Sequence, residues 1–134
     1  MASLSHADYG SVPVERIRSI YDGDTFRVDI AGWPRVIGEN MPVKVAGIDT
    51  PERRGKCAAE KELAMKARQY TVQRLRNAGS VTLSLIERGK YFRLLAEVYI
   101  DGESLTDGLI NNGYAVEYYG GKKMDWCAYL SQAN

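Results

Sequence analysis

The order of periodicities along this chain leaves room for few folds. Three short runs with strand-like alternation come first, then one long helical stripe, then two more strand-like runs. Val14 to Ile20 reads as the first strand, turning at Asp22-Gly23, a dipeptide suited to positive φ in a tight hairpin. From Asp24 to Ile30, residues Asp24, Phe26, Val28 and Ile30 share one face, while Thr25, Arg27 and Asp29 share the other. Asp24 thus caps the core-facing row, a costly place for a carboxylate without a cation. Ala31 to Asn40, with two glycines and a proline, predicts a long loop. Val43 to Ile48 is the third strand, ending in Asp49. Gly47 offers a bend that brings Lys44 and Asp49 to one side.

Thr50-Pro51-Glu52 has the pattern of a turn or a helix entry, with threonine as cap, proline in the first position and glutamate near the positive end. A long helix is expected from Ala58 to Ala78, stopped by Gly79. Its stripe of Ala64, Ala67, Thr71, Leu75 and Ala78 is small enough for close packing on a sheet. Val81 to Ile86 and Phe92 to Ile100 read as two more strands, joined by a charged loop from Glu87 to Tyr91. Asp101-Gly102 turns the chain into a short helix, Ser104 to Asn112, closed by Gly113. After a Gly120-Gly121 break, Lys122 to Leu130 reads as a last helix. Five short strands with an interposed helix predict an α+β fold: a five-stranded OB-type β-barrel with one long helix and one or two short C-terminal helices.

With 134 residues, 45% hydrophobic and 26% charged, the chain has the length of one globular domain and is unlike a disordered one. The expected division is a loose tail over residues 1–12 and a domain over 13–134. The net charge of +1, from 18 basic and 17 acidic side chains, does not by itself announce a nucleic-acid binder. An electropositive surface must come from local clusters such as Arg53-Arg54-Gly55-Lys56, Arg88 to Arg93, and Lys122-Lys123. No run approaches the roughly 20 apolar residues of a membrane span, so no membrane partner is expected. Ser5-His6-Ala7 before Asp8 has the small residues that flank a signal-peptidase cut, and reads as the remnant of a removed leader. His6 is the single histidine, which argues against histidine-based catalysis and against a zinc set. Cys57 and Cys127 are too far apart for a CxxC motif, leaving buried thiols or one disulfide. A disulfide would imply an oxidising compartment, secreted or periplasmic; with thiols the cytoplasm stays open.

Two acidic strings carry the chemistry: Asp22-Gly23-Asp24-Thr25 and Asp49-Thr50-Pro51-Glu52. Each alone is explained by a hairpin turn or a helix start, and Arg93 alone by a surface ion pair. Together they place carboxylates and a guanidinium at strand ends that can converge on one barrel mouth. Hydrolysis of a phosphodiester needs a base for the attacking water and cations for the charge that builds on phosphate oxygens. A hard metal ion binds through oxygen ligands of this kind.

Four separated strings then agree with one family. Asp22-Gly23-Asp24-Thr25, Ala46-Gly47-Ile48-Asp49-Thr50-Pro51-Glu52, Tyr91-x-Arg93-x-Leu95-Ala96-x-Val98-Tyr99 and Leu109-Ile110-x-x-Gly113-Tyr114-Ala115 resemble the staphylococcal nuclease (thermonuclease) family, in order, over Val14 to Tyr119. The resemblance implies a calcium-dependent endonuclease that hydrolyses DNA and RNA, single strands preferred, and leaves 3′-phosphate ends. It also implies roles: Asp24, Asp49 and the Thr50 carbonyl for Ca2+, Glu52 as general base, Arg93 as catalytic arginine, and Lys90, Tyr91 and Tyr119 for the nucleotide. Lys44 stands where the family has a second catalytic arginine. Lysine keeps the charge but loses the planar fork that grips two phosphate oxygens. Gly89 and Phe92 are lesser departures. The rival expectations are a nucleic-acid-binding domain that no longer cleaves, and a calcium-stabilised domain with no nucleic-acid role. A monomer is expected.

Overall fold

The computed structural model describes residues 10–132, so the readings of Ser5-His6-Ala7 and of most of the loose tail lie outside the described residues. Strand β1 (Val12–Asp22) pairs antiparallel with β2 (Thr25–Ile30), which pairs with β3 (Met41–Val45). The other edge of β1 meets β5 (Val81–Arg88), and β5 pairs antiparallel with β6 (Leu94–Ile100). One parallel ladder, with Val43 opposite Leu94 and Lys44 opposite Leu95, joins β3 to β6. That ladder closes the five strands into a barrel, and the fold is the expected α+β OB type. Closure follows from the alternation. Phe26 and Val28, Val43 and Val45, Leu83, Ala96 and Val98 all point inward and are buried, so each strand's apolar row faces the others across one core.

Two short strands sit at the mouth. Gly47, with φ of 81°, ends the straight run of β3 and redirects the chain into β4 (Ile48–Asp49). That strand pairs with β8 (Val116–Glu117). The expected bend at Gly47 is therefore present, and β3 is shorter than predicted because it stops at Val45. A small β7 (Glu103–Ser104) extends the sheet beside β6, and α3 (Leu105–Asn111) follows, with the Ser104 hydroxyl accepting the Asp107 N–H as its cap.

Several boundaries differ from the sequence-based expectations. The tail ends earlier, because Val12 and Pro13 already pair with Leu83 and Thr82. The loop after β2 holds a four-residue helix, α1 (Arg35–Gly38). The long helix, α2, runs Ala58–Arg76 and is capped at Asn77, not Gly79. Gly79 instead gives its N–H to the Asp101 carboxylate at 3.0 Å, an approach that a side chain would crowd. β6 begins at Leu94, so the loop before it extends through Arg93. The last helix, α4 (Trp126–Gln132), begins four residues later than expected.

The small-residue stripe on α2 explains how the first acidic string is held. Ala64, Ala67, Thr71 and Leu75 are buried, and the Thr71 hydroxyl donates to the Gly23 carbonyl at 2.7 Å. A Cβ on Gly23 would lie 3.1 Å from both Cβ and the carbonyl oxygen of Ala67. Gly23 is thus required by the closeness of α2; its φ is not positive, contrary to the sequence-based expectation. Gly23→Ala is expected to cost about 1–3 kcal/mol, as overpacking does. Urea denaturation would measure it, and a loss under about 0.5 kcal/mol, within the range of neutral surface changes, would show that the turn is not seated this tightly.

Candidate metal and phosphate site

The turn between β1 and β2, the β3–β4 bend and the segment leading to α2 meet at one edge of the barrel. Asp24 lies in the turn itself, one residue before β2. It is therefore outside the ladder row that the alternation assigned it, though it is buried, at 5% exposure. Its carbonyl accepts the Val45 N–H at 2.8 Å, which fixes the turn to the end of β3. Asp49, at the end of β4, is 3% exposed, and Thr50 beside it is buried too.

Asp22 completes the group. It belongs to the first acidic string, two positions from Asp24, and the family resemblance gives it no role of its own. It is buried, and its Oδ1 has no hydrogen-bond partner. Burial first, then Asp24, push its carboxyl up from 3.8 to about 6; Glu52 adds to the rise and Arg53 opposes it. Burial also raises Asp49, against the Trp126 N–H and Lys123, and Asp24 raises it further. Asp24 thus acts on both Asp22 and Asp49, and Glu52 on Asp22.

The sign of the Asp22 shift gives a pH dependence. The folded protein holds this proton more tightly than the unfolded chain, so the contribution of Asp22 to stability is fullest below its ordinary value of 3.8 and is lost as pH rises through about 6. Asp22→Asn is expected to remove that slope and to stabilise the protein in EDTA at pH 7 by roughly 1–2 kcal/mol, less than the full shift because water reaches part of the site. Urea curves at pH 4 and pH 7 would test this, and an equal effect at both would count against it.

Lys44 is not turned to solvent. Its Nζ lies 3.1 Å from Asp24 Oδ2 and donates to the carbonyls of Val45 at 3.1 Å and Ile48 at 2.8 Å. Asp49 has two partners from the C-terminal segment. Trp126 Nε1 donates to its Oδ2 at 3.1 Å, and Lys123 Nζ lies 3.7 Å from its Oδ1. The segment is tied down by a disulfide between Cys57, just before α2, and Cys127, which settles the alternative the sequence left open. No local sequence signal pointed to Trp126, whose contact spans 77 positions.

Glu52 is exposed, while its backbone N–H is held by buried Glu60 Oε2 at 3.1 Å. Arg93 is partly buried with its Nε unpartnered. The register that sets Leu94 opposite Val43 brings it beside β3, where it joins Thr25, Phe26, Pro42 and Val43 in lining one shallow cleft. On its other side an apolar cleft of about 190 Å³ is lined by Trp33, Ile37, Met41 and Phe92 among others. Tyr91 and Phe92 both have left-handed backbones, φ 57° and 55°, and exposed rings; such conformations persist where the surroundings hold them, often at functional loops. Lys90 is exposed in the same loop. Tyr119 is 85% exposed and its ring edge lies against Gly47 at the β3–β4 bend. Lys44 therefore joins Asp24 to the Ile48 carbonyl next to Asp49, and Tyr119 flanks the bend between them. Lys90 and Tyr91 stand on the separate loop that carries Arg93.

The donor types are those that a hard cation takes. Three buried carboxylates are all-oxygen acceptors, and an unpartnered buried carboxylate oxygen is costly unless something positive meets it. Among the described residues no helix is long and apolar enough to cross a membrane. The family model for staphylococcal nuclease homologues matches residues 42–133, which takes in Lys44, Asp49, Thr50, Glu52 and Arg93, while Asp22 and Asp24 join them through the turn packed on α2. By sequence match and by barrel, this chain belongs to the staphylococcal nuclease homologue family.

Proposed function

We propose that this protein is a calcium-dependent endonuclease that hydrolyses phosphodiester bonds of DNA and RNA, prefers single strands and leaves 3′-phosphate ends. The observation that carries the reading is that one ammonium, Lys44, joins Asp24 to the Ile48 carbonyl next to Asp49, with Asp22, Asp24 and Asp49 all buried and an Asp22 oxygen unpartnered. A protein that only bound phosphate would gain nothing from carboxylates there.

Asp24, Asp49 and the Thr50 carbonyl would hold Ca2+, with Asp22 close behind them. Bound there, the ion would polarise the phosphate and offset its charge. Glu52, exposed beside this group, has the freedom to accept a proton from the attacking water. Arg93, with an unpartnered Nε, meets the charge that grows on the phosphate oxygens. Tyr91 and Tyr119 offer ring faces for unpaired bases, and Lys90 a charge for the backbone. A shallow edge of this kind suits single strands. The disulfide favours an oxidising compartment, secreted or periplasmic, and the protein is read as a monomer.

The test is cleavage of single-stranded DNA by purified protein in calcium and in EDTA, with product ends analysed. Cleavage in calcium that stops in EDTA supports the reading, and intact substrate in both ends it. The Lys44–Asp24 ion pair favours one alternative, a domain that binds nucleic acid without cleaving it. Salt-sensitive binding with no turnover would identify that case.

A further inference from the structure

Lys44 has the environment of a bound cation. Its ammonium has three N–H donors, and three oxygens surround it: Asp24 Oδ2, the Val45 carbonyl and the Ile48 carbonyl. The side chains of Lys44 and Asp24 are 12% and 7% exposed, so the pair is shielded from water and neither charge is easily left alone. The backbone accounts for the arrangement. Thr25 pairs with Lys44 across the β2–β3 ladder, which puts Asp24 beside the lysine. The bend at Gly47 then returns the Ile48 carbonyl to the same ammonium. A carboxylate plus two backbone carbonyls is also the kind of oxygen shell that a calcium ion takes.

We propose that Lys44 is a tethered cation that competes with the divalent ion for Asp24, so that metal binding must displace its ammonium from the carboxylate. This rests on the metal reading above and goes beyond it, because it assigns Lys44 to the metal half of the site, where the sequence had set it facing phosphate. A divalent ion and an ammonium on one carboxylate repel each other, so each weakens the hold of the other on Asp24. Lys44 thereby sets the calcium concentration at which the site fills. Arginine at this position would be a poorer competitor, since its wider, more delocalised charge does not fit a cage of three oxygens as a compact ammonium does.

Two measurements test this without recourse to activity. Calorimetric titration with calcium is done on the wild type, Lys44→Met and Lys123→Met. Lys123 is the reference, since it also faces a site carboxylate but from 3.7 Å and with half its side chain in solvent. Lys44→Met is expected to bind calcium at least tenfold more tightly than the wild type, and Lys123→Met to gain less than threefold. Equal or weaker binding by Lys44→Met, or an equal gain in both variants, overturns the proposal. The second measurement needs no variant. Reductive methylation of the wild type, read by mass spectrometry, is expected to label Lys44 at least threefold faster in saturating calcium than in EDTA. An unchanged rate overturns the proposal. If the wild type binds calcium while neither Lys44 readout moves, only this inference falls. If calorimetry finds no calcium binding in any of the three proteins, the metal reading falls with it.

Discussion

Replacing Cys57 and Cys127 together with serine is expected to lower stability by about 4 kcal/mol, or roughly 10–20 °C in Tm for a domain of this size. The bridge spans 70 positions, so it removes much of the freedom of the unfolded chain. In the folded protein it also holds a helix with little else beneath it. Among the residues of α4, Trp126 is the buried one; its ring meets Tyr129 edge-on at 6.0 Å, within the same helix. Seven residues of helix are too few to persist without tertiary support. Loss of the bridge is therefore expected to loosen α4 and to withdraw the Trp126 N–H from Asp49 Oδ2. Thermal melts with and without a reductant would show the effect, and a red shift in tryptophan emission under native conditions would report departure of the helix. A Tm change below about 3 °C would mean that packing alone holds α4, and that the disulfide adds little.

What could be read from the sequence divides by the range of the interactions. The barrel was legible because alternation is local: Phe26, Val28 and Ile30 announce their inward face within one strand. The close seat for α2 was legible as well, in the helical stripe of small residues Ala64, Ala67 and Thr71. Gly23 was noticed for the wrong reason. A hairpin dipeptide suggests positive φ, yet what excludes a side chain there is Ala67, 44 positions away and invisible to local pattern. The helix stop at Asn77 was missed similarly, because the glycine that looked like a terminator serves Asp101 instead. At the candidate site, Asp24, Asp49 and Glu52 stand in short strings that can be read directly. Asp22 was in the same string but was absorbed into the turn. The orientation of Lys44 depends on carbonyls supplied by the β3–β4 bend, and Trp126 reaches Asp49 from a chain end that a disulfide ties to the start of α2. Such contacts follow from topology, and no local window contains them.

Glu52→Gln is expected to cut kcat on single-stranded DNA by roughly 10²- to 10⁴-fold, the usual contribution of a positioned general base, while calcium affinity changes less than threefold. The asymmetry comes from where Glu52 stands. Its carboxylate is exposed, unlike the buried Asp24 and Asp49, so it has the freedom to reach a water molecule. Glutamine has the same shape but almost no basicity. The anchor of the segment is the backbone N–H of residue 52 on Glu60, which glutamine retains, so stability should stay within about 0.5 kcal/mol, as for most surface changes. Single-turnover cleavage and calcium titration on the same preparations separate the possibilities. A fall in rate with calcium binding intact fits a base that acts on water. A matched loss of both would instead make Glu52 a metal ligand or a member of the acidic group that attracts the ion. Unchanged cleavage would remove Glu52 from the chemistry and, since burial lifts the Asp22 carboxyl to about 6, would turn attention to Asp22 as the base.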